Sequence, residues 1–219
     1  MQNNKWINKS FVTLGDSITH QDGKPYIQGP NVNQIAKGYQ TLLKEQLGFS
    51  YYLNLGVSGR PIANGTINGE GTNTTGKQII YEAFDLAFIA GGTNDFKLNV
   101  PMGSIHHRDT SSFIGAYQDL IEYILKSNPS ITLVLLTPLQ RDNSGYSVES
   151  TNLSGHKLMD YVEAIKKLGK LYSLPVCDLY INSGFNKNTL AIYTMDGLHP
   201  NDEGYIQMAH VIKDFLLKI

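Results

Sequence analysis

Short apolar runs alternate with longer segments of helical periodicity along this 219-residue chain. The short runs lack the alternation of apolar and polar positions that half-exposed antiparallel strands show. This pattern favours buried strands of a parallel sheet. The predicted strands occupy residues 11–14, 51–55, 86–90, 131–136 and 175–178.

The longer segments place apolar residues three and four positions apart, which predicts amphipathic helices. In the last of them, one stripe of Tyr205, Met208, Ala209, Ile212 and Phe215 predicts a face that packs into the core. The predicted helices occupy residues 35–47, 111–126, 153–172 and 202–217. A segment rich in Gly, Asn and Thr, residues 60–77, is predicted to be one long loop.

The alternation of strands and helices predicts one α/β domain over residues 1–219, a three-layer α/β/α sandwich around a mostly parallel five-stranded sheet. In open sheets of this kind, loops at the carboxyl ends of the strands form the ligand crevice. Ser17 follows the first predicted strand, Gly59 the second and Asn94 the third. Asp196 and His199 follow the fifth. We therefore expect these five residues to meet at one edge of the sheet.

Two of these segments carry the residue types of serine hydrolysis. Ser17 lies in the tight turn Gly15-Asp-Ser-Ile-Thr, and His199 follows Asp196 by three positions in Asp196-Gly-Leu-His-Pro. A serine hydroxyl is a weak nucleophile until an imidazole takes its proton. A carboxylate then holds the imidazole in the useful tautomer. We predict Ser17 as nucleophile, His199 as general base and Asp196 as the group that orients it.

Acyl transfer also needs hydrogen-bond donors at the oxyanion of the tetrahedral intermediate. In Asn54-Leu-Gly-Val-Ser-Gly59 a glycine can supply a backbone N–H, with Gly59 preferred and Gly56 the alternative. Asn94 can supply a side-chain amide, although it also suits a plain turn after a strand. The N–H of Ser17 is the third predicted donor.

The four segments, in this order, resemble the SGNH hydrolase superfamily, the GDSL-type esterases and lipases. The matching residues span most of the chain, with Ile18 where leucine is commonest: Gly15-Asp16-Ser17, Gly59, Gly92-Thr93-Asn94-Asp95 and Asp196-x-x-His199. The resemblance implies a catalytic triad of Ser17, Asp196 and His199, and an oxyanion hole of Ser17, Gly59 and Asn94. It also implies a flavodoxin-like five-stranded sheet and no cofactor.

Two further motifs suggest other chemistry but lack its context. Residues 71–77 match most of a phosphate-binding loop, yet Gln78 replaces the hydroxyl residue that would bind magnesium, and no apolar strand leads into Gly71. His106 and His107 are adjacent, so in an extended loop their side chains point apart, and no third metal ligand is near in sequence. We predict neither a nucleotide site nor a metal site.

The composition narrows the expected partners and location. The chain has 18 Lys+Arg against 19 Asp+Glu and no basic tail, so nucleic acid is not an expected partner. Its first residues lack the apolar stretch of a secretory signal, and no apolar run is long enough to span a membrane. The single cysteine, Cys177, lies in an apolar segment and predicts a buried thiol in a reducing compartment. We expect a cytoplasmic protein.

The loop composition favours a polar, small-molecule or glycan ester as substrate. Lipid-binding crevices are lined mainly by aliphatic and aromatic groups, whereas residues 60–76 are rich in Asn, Thr and Gly. We predict hydrolysis of a short acyl ester, an acetyl ester of a sugar, with Asp16, Arg60 and Asp95 as candidate substrate contacts. Two alternatives stay open: a lysophospholipase or thioesterase acting on longer acyl chains, and a carbohydrate-binding module without catalysis.

Overall fold

A five-stranded parallel sheet forms the centre of the computed structural model, which describes residues 4–29 and 31–219. Its strands are β1 (Ser10–Gly15), β2 (Tyr51–Gly56), β3 (Leu86–Ala90), β4 (Thr132–Leu136) and β7 (Val176–Cys177). A separate antiparallel hairpin consists of β5 (Asp142–Asn143) and β6 (Tyr146–Ser147). The strand order in the sheet is β2-β1-β3-β4-β7, so the first strand of the chain lies inside the sheet.

Helices connect the strands and cover both faces of the sheet. None of the helices within residues 4–29 and 31–219 combines the length and the apolar character that crossing a membrane requires. The helices are α1 (Ser17–His20), α2 (Tyr39–Leu47), α3 (Thr72–Thr75), α4 (Thr93–Lys97), α5 (Phe113–Ser127), α6 (Leu158–Tyr172), α7 (Leu179–Asn182), α8 (Leu190–Tyr193) and α9 (Asp202–Leu216), with 3-10 turns at Gly76–Gln78 and Tyr81–Ala83.

The sheet divides the core into two layers because successive strand side chains point to opposite faces. Val12 of β1 packs in one cluster with residues of α5 and α6, such as Leu120 and Ile165. Phe11, one position earlier, packs on the other face in a cluster with Leu43 of α2 and residues of α9. Both faces of the sheet are therefore buried, which explains why the strands are apolar at consecutive positions. The predicted α/β/α sandwich with five parallel strands is confirmed.

Two predicted helices begin several residues later than their periodicity suggested. Helix α2 starts at Tyr39 because the Asp22 carboxylate accepts a hydrogen bond from the Gly38 N–H, at 2.7 Å, and holds the preceding chain in an extended form. Helix α6 starts at Leu158 because Asn152 Oδ1 accepts hydrogen bonds from the backbone N–H groups of the next turn. Such side-chain bonds compete with helix formation.

The prediction of one long loop over residues 60–77 is wrong for its last part. Helix α3 and the 3-10 turn after it occupy this part. The Asn73 side chain donates a hydrogen bond of 2.8 Å to the Ala116 carbonyl of α5 and so fixes α3 against the body. The loop prediction relied on the Gly, Asn and Thr content of the segment, which does not record a contact between Asn73 and the distant helix α5.

The topology positions the functional loops. The chain passes from β1 to β2 on one side of β1 and then to β3 on its other side, so the strand order reverses at β1. Ligand crevices of open α/β sheets form at such a reversal, outside the carboxyl ends of the strands. Ser17 starts α1 at the end of β1, and Asn94 lies in α4 just after β3. Both therefore reach the crevice.

Candidate active site

Ser17 is held in place by the sharp turn between β1 and α1. Asp16 caps α1 by accepting a hydrogen bond of 3.0 Å from the Ile18 N–H. The turn needs glycine at position 15, since a β-carbon there would lie 2.9 Å from the Ala90 carbonyl oxygen on the neighbouring strand. The Ser17 hydroxyl therefore projects from the first turn of α1, at the carboxyl end of the sheet.

His199 and Asp196 lie in one turn between α8 and α9. Gly197 has φ +83°, a left-handed conformation that favours glycine and reverses the chain. This reversal brings Asp196 Oδ1 within 2.8 Å of the His199 N–H, and the Asp196 Oδ2 atom lies 2.8 Å from His199 Nδ1. The carboxylate thus fixes both the backbone and the ring of the histidine.

The two segments, far apart in sequence, meet through one hydrogen bond. His199 Nε2 lies 3.0 Å from Ser17 Oγ. With a proton on Nδ1 directed at Asp196, Nε2 carries the lone pair that accepts the serine proton. The arrangement can therefore generate a serine alkoxide and stabilise the imidazolium that forms with it.

Asp196 is kept ionised by its hydrogen bonds. Partial burial opposes the charge, but hydrogen bonds from the ring and backbone of His199, together with the ring's charge, outweigh it and hold the pKa of Asp196 well below its usual range. Gln28 adds a fourth contact: its Nε2 donates to Asp196 Oδ2 at 2.8 Å. Gln28 lies in the loop between α1 and α2, and its sequence neighbours carry no motif that would have singled it out.

The N–H donors predicted for the oxyanion hole differ in whether another acceptor already occupies them. The Gly56 N–H is committed to Asn54 Oδ1, at 2.9 Å, whereas Gly59 (φ +74°) and the first residue of α1, Ser17, donate to no acceptor that the structure describes. Asn94 is 7% exposed and uses one amide hydrogen on the Arg60 carbonyl at 3.2 Å, which leaves its second hydrogen free. The geometry therefore favours Gly59 over Gly56 as the backbone donor of an oxyanion hole.

Comparison with known proteins identifies the family. The model of the GDSL-like Lipase/Acylhydrolase family matches residues 13–206. The chain belongs to this family. No curated protein is similar enough in sequence to count as a match.

Solved structures share the fold of this acylhydrolase over nearly its whole length. A protein from Lactobacillus plantarum is 26% identical, with TM-score 0.81, over 96% of this chain and 97% of its own. A possible lipase from Chitinophaga pinensis is 22% identical, with TM-score 0.73, over 96% and 98%. A variant of an acetyl-xylooligosaccharide esterase from Geobacillus Stearmophilus is 16% identical, with TM-score 0.64, over 96% and 94%. The family and these neighbours support an ester hydrolase in general.

Asp95 is enclosed in the protein, which argues against the predicted substrate contact. Its side chain is 0% exposed, and its carboxylate accepts hydrogen bonds from the N–H groups of Ile62 at 2.9 Å and Ala63 at 3.1 Å. These bonds anchor the loop that carries Gly59 and Arg60 against α4. Burial raises the pKa of Asp95 to about 7, despite the hydrogen bonds that favour its charged form.

The other two candidate substrate contacts, Asp16 and Arg60, differ in exposure. Asp16 is 5% exposed and caps α1 beneath Ser17, which argues against a direct substrate contact. Burial raises the pKa of its carboxyl to about 6. Arg60 is half-buried next to Asn94, and its side chain makes no hydrogen bond or ion pair with the residues that the structure describes. A substrate contact through Arg60 stays a prediction.

Arg141 supports the site although its sequence gave no sign of it. It is 0% exposed, although it directly precedes the polar turn Asp142-Asn-Ser-Gly145, a position that suggests an exposed side chain. Its Nη1 donates to the Thr93 hydroxyl at 2.9 Å, and its Nη2 donates to the Asn143 carbonyl at 3.2 Å. Asn143 in turn donates to the Asp196 carbonyl at 2.8 Å. Arg141 therefore ties α4 to the β5–β6 hairpin and, through it, to the Asp196 turn.

The motifs that suggested phosphate or metal serve other purposes. Lys77, the lysine of the loop-like motif, forms an ion pair with Asp119 of α5. His106 and His107 are exposed, and within residues 4–29 and 31–219 no group of three or more His, Cys, Asp or Glu side chains is placed to hold a metal ion.

Replacing Gln28 by alanine should lower kcat for a small ester about two- to fivefold, because an exposed hydrogen bond to a carboxylate contributes roughly 0.5–1 kcal/mol. KM should change little, since Gln28 contacts Asp196 and not the crevice. Steady-state kinetics of Gln28→Ala beside Gln34→Ala, an exposed glutamine of the same loop, measures this. Equal kcat for the two variants would contradict a positioning role for Gln28.

Asp95→Asn should change how stability depends on pH. The folded-state pKa of about 7 lies above the ordinary value of 3.8, so between these values the native state keeps a proton that the unfolded chain has lost. As pH rises through this window, the wild type should lose stability relative to the variant, by at most about 1.4 kcal/mol per pH unit. Urea unfolding at pH 5 and pH 7 checks this; a difference that does not depend on pH would contradict it.

Proposed function

We propose that this acylhydrolase is a serine esterase that transfers a short acyl group, in the first place acetyl, from a sugar or similar polar alcohol to Ser17 and then to water. One observation carries the proposal. The side chains of Ser17, His199 and Asp196 form a continuous chain of hydrogen bonds at the carboxyl ends of the strands. This order of hydroxyl, imidazole and carboxylate is the one that acyl transfer through an alkoxide requires.

The proposed reaction has two halves. His199 Nε2 takes the hydroxyl proton as Ser17 Oγ attacks the ester carbonyl carbon, and the N–H groups of Ser17 and Gly59 and the amide of Asn94 bind the oxyanion that forms. The imidazolium then gives its proton to the departing alcohol, which leaves an acyl-serine. In the second half, His199 takes a proton from a water that attacks the acyl carbon. The bond from that carbon to Ser17 Oγ then breaks, the imidazolium returns its proton to Oγ, and the carboxylic acid leaves. Asp196 stays ionised throughout and stabilises the imidazolium.

Support for a short acyl group comes from the surroundings of the site. The loop that follows Gly59 is polar over most of its length. The aromatic side chains of Tyr26 and Phe96 are 1% and 0% exposed and pack into the body, so neither offers an apolar surface to a long acyl chain. Tyr146 and Tyr193 stay half-exposed. An acetyl-xylooligosaccharide esterase has the same fold, so this fold accommodates an acetylated sugar.

The proposal is tested with p-nitrophenyl esters from acetyl to decanoyl. We expect kcat/KM for the acetyl ester to exceed that for the octanoyl ester at least about tenfold, because a long apolar chain would remove water from polar groups of the loop without supplying hydrogen bonds in return. Ser17→Ala should reduce turnover at least about a thousandfold, since the nucleophile is removed. Ser50→Ala, an exposed serine just before β2, should keep wild-type activity and is the matched control.

Each other outcome points to a named alternative. A higher kcat/KM for the octanoyl ester would contradict the short-chain assignment and favour a lysophospholipase or thioesterase. Full activity of Ser17→Ala would overturn the serine mechanism. A folded wild type that hydrolyses none of the esters would favour a carbohydrate-binding module.

A further inference from the structure

We propose that the alcohol half of the substrate carries a negatively charged group, a carboxylate or a phosphate, and that Lys97 binds it in a cleft at the end of α4, the helix that carries Asn94. The inference rests on the proposed function and specifies its substrate. An acetyl group contains no ionisable group, so any charge on the substrate must lie on the alcohol that leaves. The Lys97 cleft, as we call it, has a volume of about 670 Å³, and its polar wall consists of Asn64, Thr66, Lys97, Asn99, Ser111 and Tyr146.

One wall of the Lys97 cleft is the helix that carries the proposed oxyanion donor. Asn94 and Lys97 are three positions apart in α4. Residues at this spacing share a helix face, with β-carbons about 5–6 Å apart. The flexible lysine stem adds to this reach. A sugar whose ester carbonyl meets Asn94 can therefore reach Lys97 across about one ring.

The other walls of the cleft belong to two elements that also contact the proposed catalytic residues, the loop after Gly59 and the β5–β6 hairpin. Thr66 belongs to the loop that follows Gly59, and this loop is held by a hydrogen bond of 2.7 Å from Asn68 Nδ2 to the Gly59 carbonyl. Tyr146 belongs to the β5–β6 hairpin, whose Asn143 donates to the Asp196 carbonyl. Three elements that position the site thus also enclose the cleft, so cleft and site are neighbours.

The charge in the cleft is uncompensated. Lys97 is the one charged residue among the described residues that line it, and no carboxylate of the described chain lies within 4.0 Å of its ammonium group. By contrast, Lys9 and Lys77 pair with Asp85 and Asp119. Lys97 is half-buried. A neutral ligand would remove water from this ammonium without supplying a counter-charge, which costs free energy, whereas an anion supplies one.

The free hydrogen-bonding atoms of the cleft include several donors. Asn99 Oδ1 already accepts the Leu153 N–H at 2.7 Å, which leaves its Nδ2 to donate. The Tyr146 hydroxyl has no partner in the part of the chain that the structure describes. Together with Lys97 Nζ, these atoms form a set that suits a carboxylate or phosphate, whose oxygens only accept.

Asp109 accepts two hydrogen bonds from Ser111, one of the residues that line the cleft. Asp109 Oδ1 accepts hydrogen bonds from the N–H of Ser111 at 2.9 Å and from its hydroxyl at 2.7 Å. The Ser111 oxygen, which lines the cleft, can therefore accept a hydrogen bond from a sugar hydroxyl. The cleft thus combines a cation and donors for the charged group with an acceptor for a neighbouring hydroxyl.

Matched substrates test the inference. We would compare kcat/KM for the acetyl ester of methyl glucuronoside with that of methyl glucoside, which differ only in the carboxylate. An acetylated glucose phosphate separates the two sources of negative charge. At low salt we expect the wild type to prefer at least one anionic ester about tenfold, a preference that added salt reduces.

Substitutions of Lys97 test whether this residue causes the preference for anionic esters. Lys97→Met should bring the ratio of anionic to neutral kcat/KM close to one, and Lys97→Glu should invert it. Lys213→Met is the control, because Lys213 is also half-buried but lies near the carboxyl end of α9, about 16 Å along the helix from its first residue. This variant should keep the wild-type ratio.

The outcomes separate this inference from the proposed function. Activity on p-nitrophenyl acetate without any preference for anionic esters, or a preference that Lys97→Met retains, overturns the Lys97 inference alone. If no ester is hydrolysed, the proposed function fails, and binding still decides the inference. Isothermal titration of methyl glucuronoside and glucose phosphate should then show Lys97-dependent binding of at least one of them, also in Ser17→Ala; equal binding by wild type and Lys97→Met overturns it.

Discussion

The carboxylate of Asp196 is the group on which the arrangement of the site depends. Its two oxygens accept hydrogen bonds from the N–H groups of Leu198 and His199, from the His199 ring and from Gln28. These bonds keep it ionised and fix the direction in which the imidazole presents its second nitrogen to Ser17. Without this carboxylate the histidine would be one more half-exposed side chain in a loop, with no preferred tautomer.

The architecture and the proposed triad follow from local features of the sequence. Apolar runs predict the five strands because both faces of a parallel sheet are buried, and the order of strand and helix predicts the sandwich. Parallel strands all end at the same edge, so placing Ser17 and His199 after strands was enough to predict that they would meet. The Asp196–His199 contact was also predictable, since a spacing of three residues closes within one turn.

The roles of the other residues around the site depend on contacts between distant parts of the chain, which a local sequence pattern does not record. Asp95 follows Asn94 in sequence and was a candidate substrate contact. Its burial beneath the loop at Ile62 gives it a structural role instead. Arg141 lies in a segment typical of an exposed turn, yet it is enclosed between α4 and the hairpin. Gln28 and Lys97 belong to no motif. Gln28 matters because it donates to the Asp196 carboxylate, and Lys97 because it lines the proposed substrate cleft.

Covalent labelling tests the central claim, that Asp196 and His199 activate Ser17, most directly. The labelling rate of the folded protein with a fluorophosphonate probe would be measured, and the modified residue would be located by peptide mass spectrometry. The account predicts a single adduct on Ser17, formed at least about tenfold more slowly in Asp196→Asn and at the wild-type rate in Ser50→Ala. An adduct elsewhere, no adduct, or a rate unchanged in Asp196→Asn would contradict it.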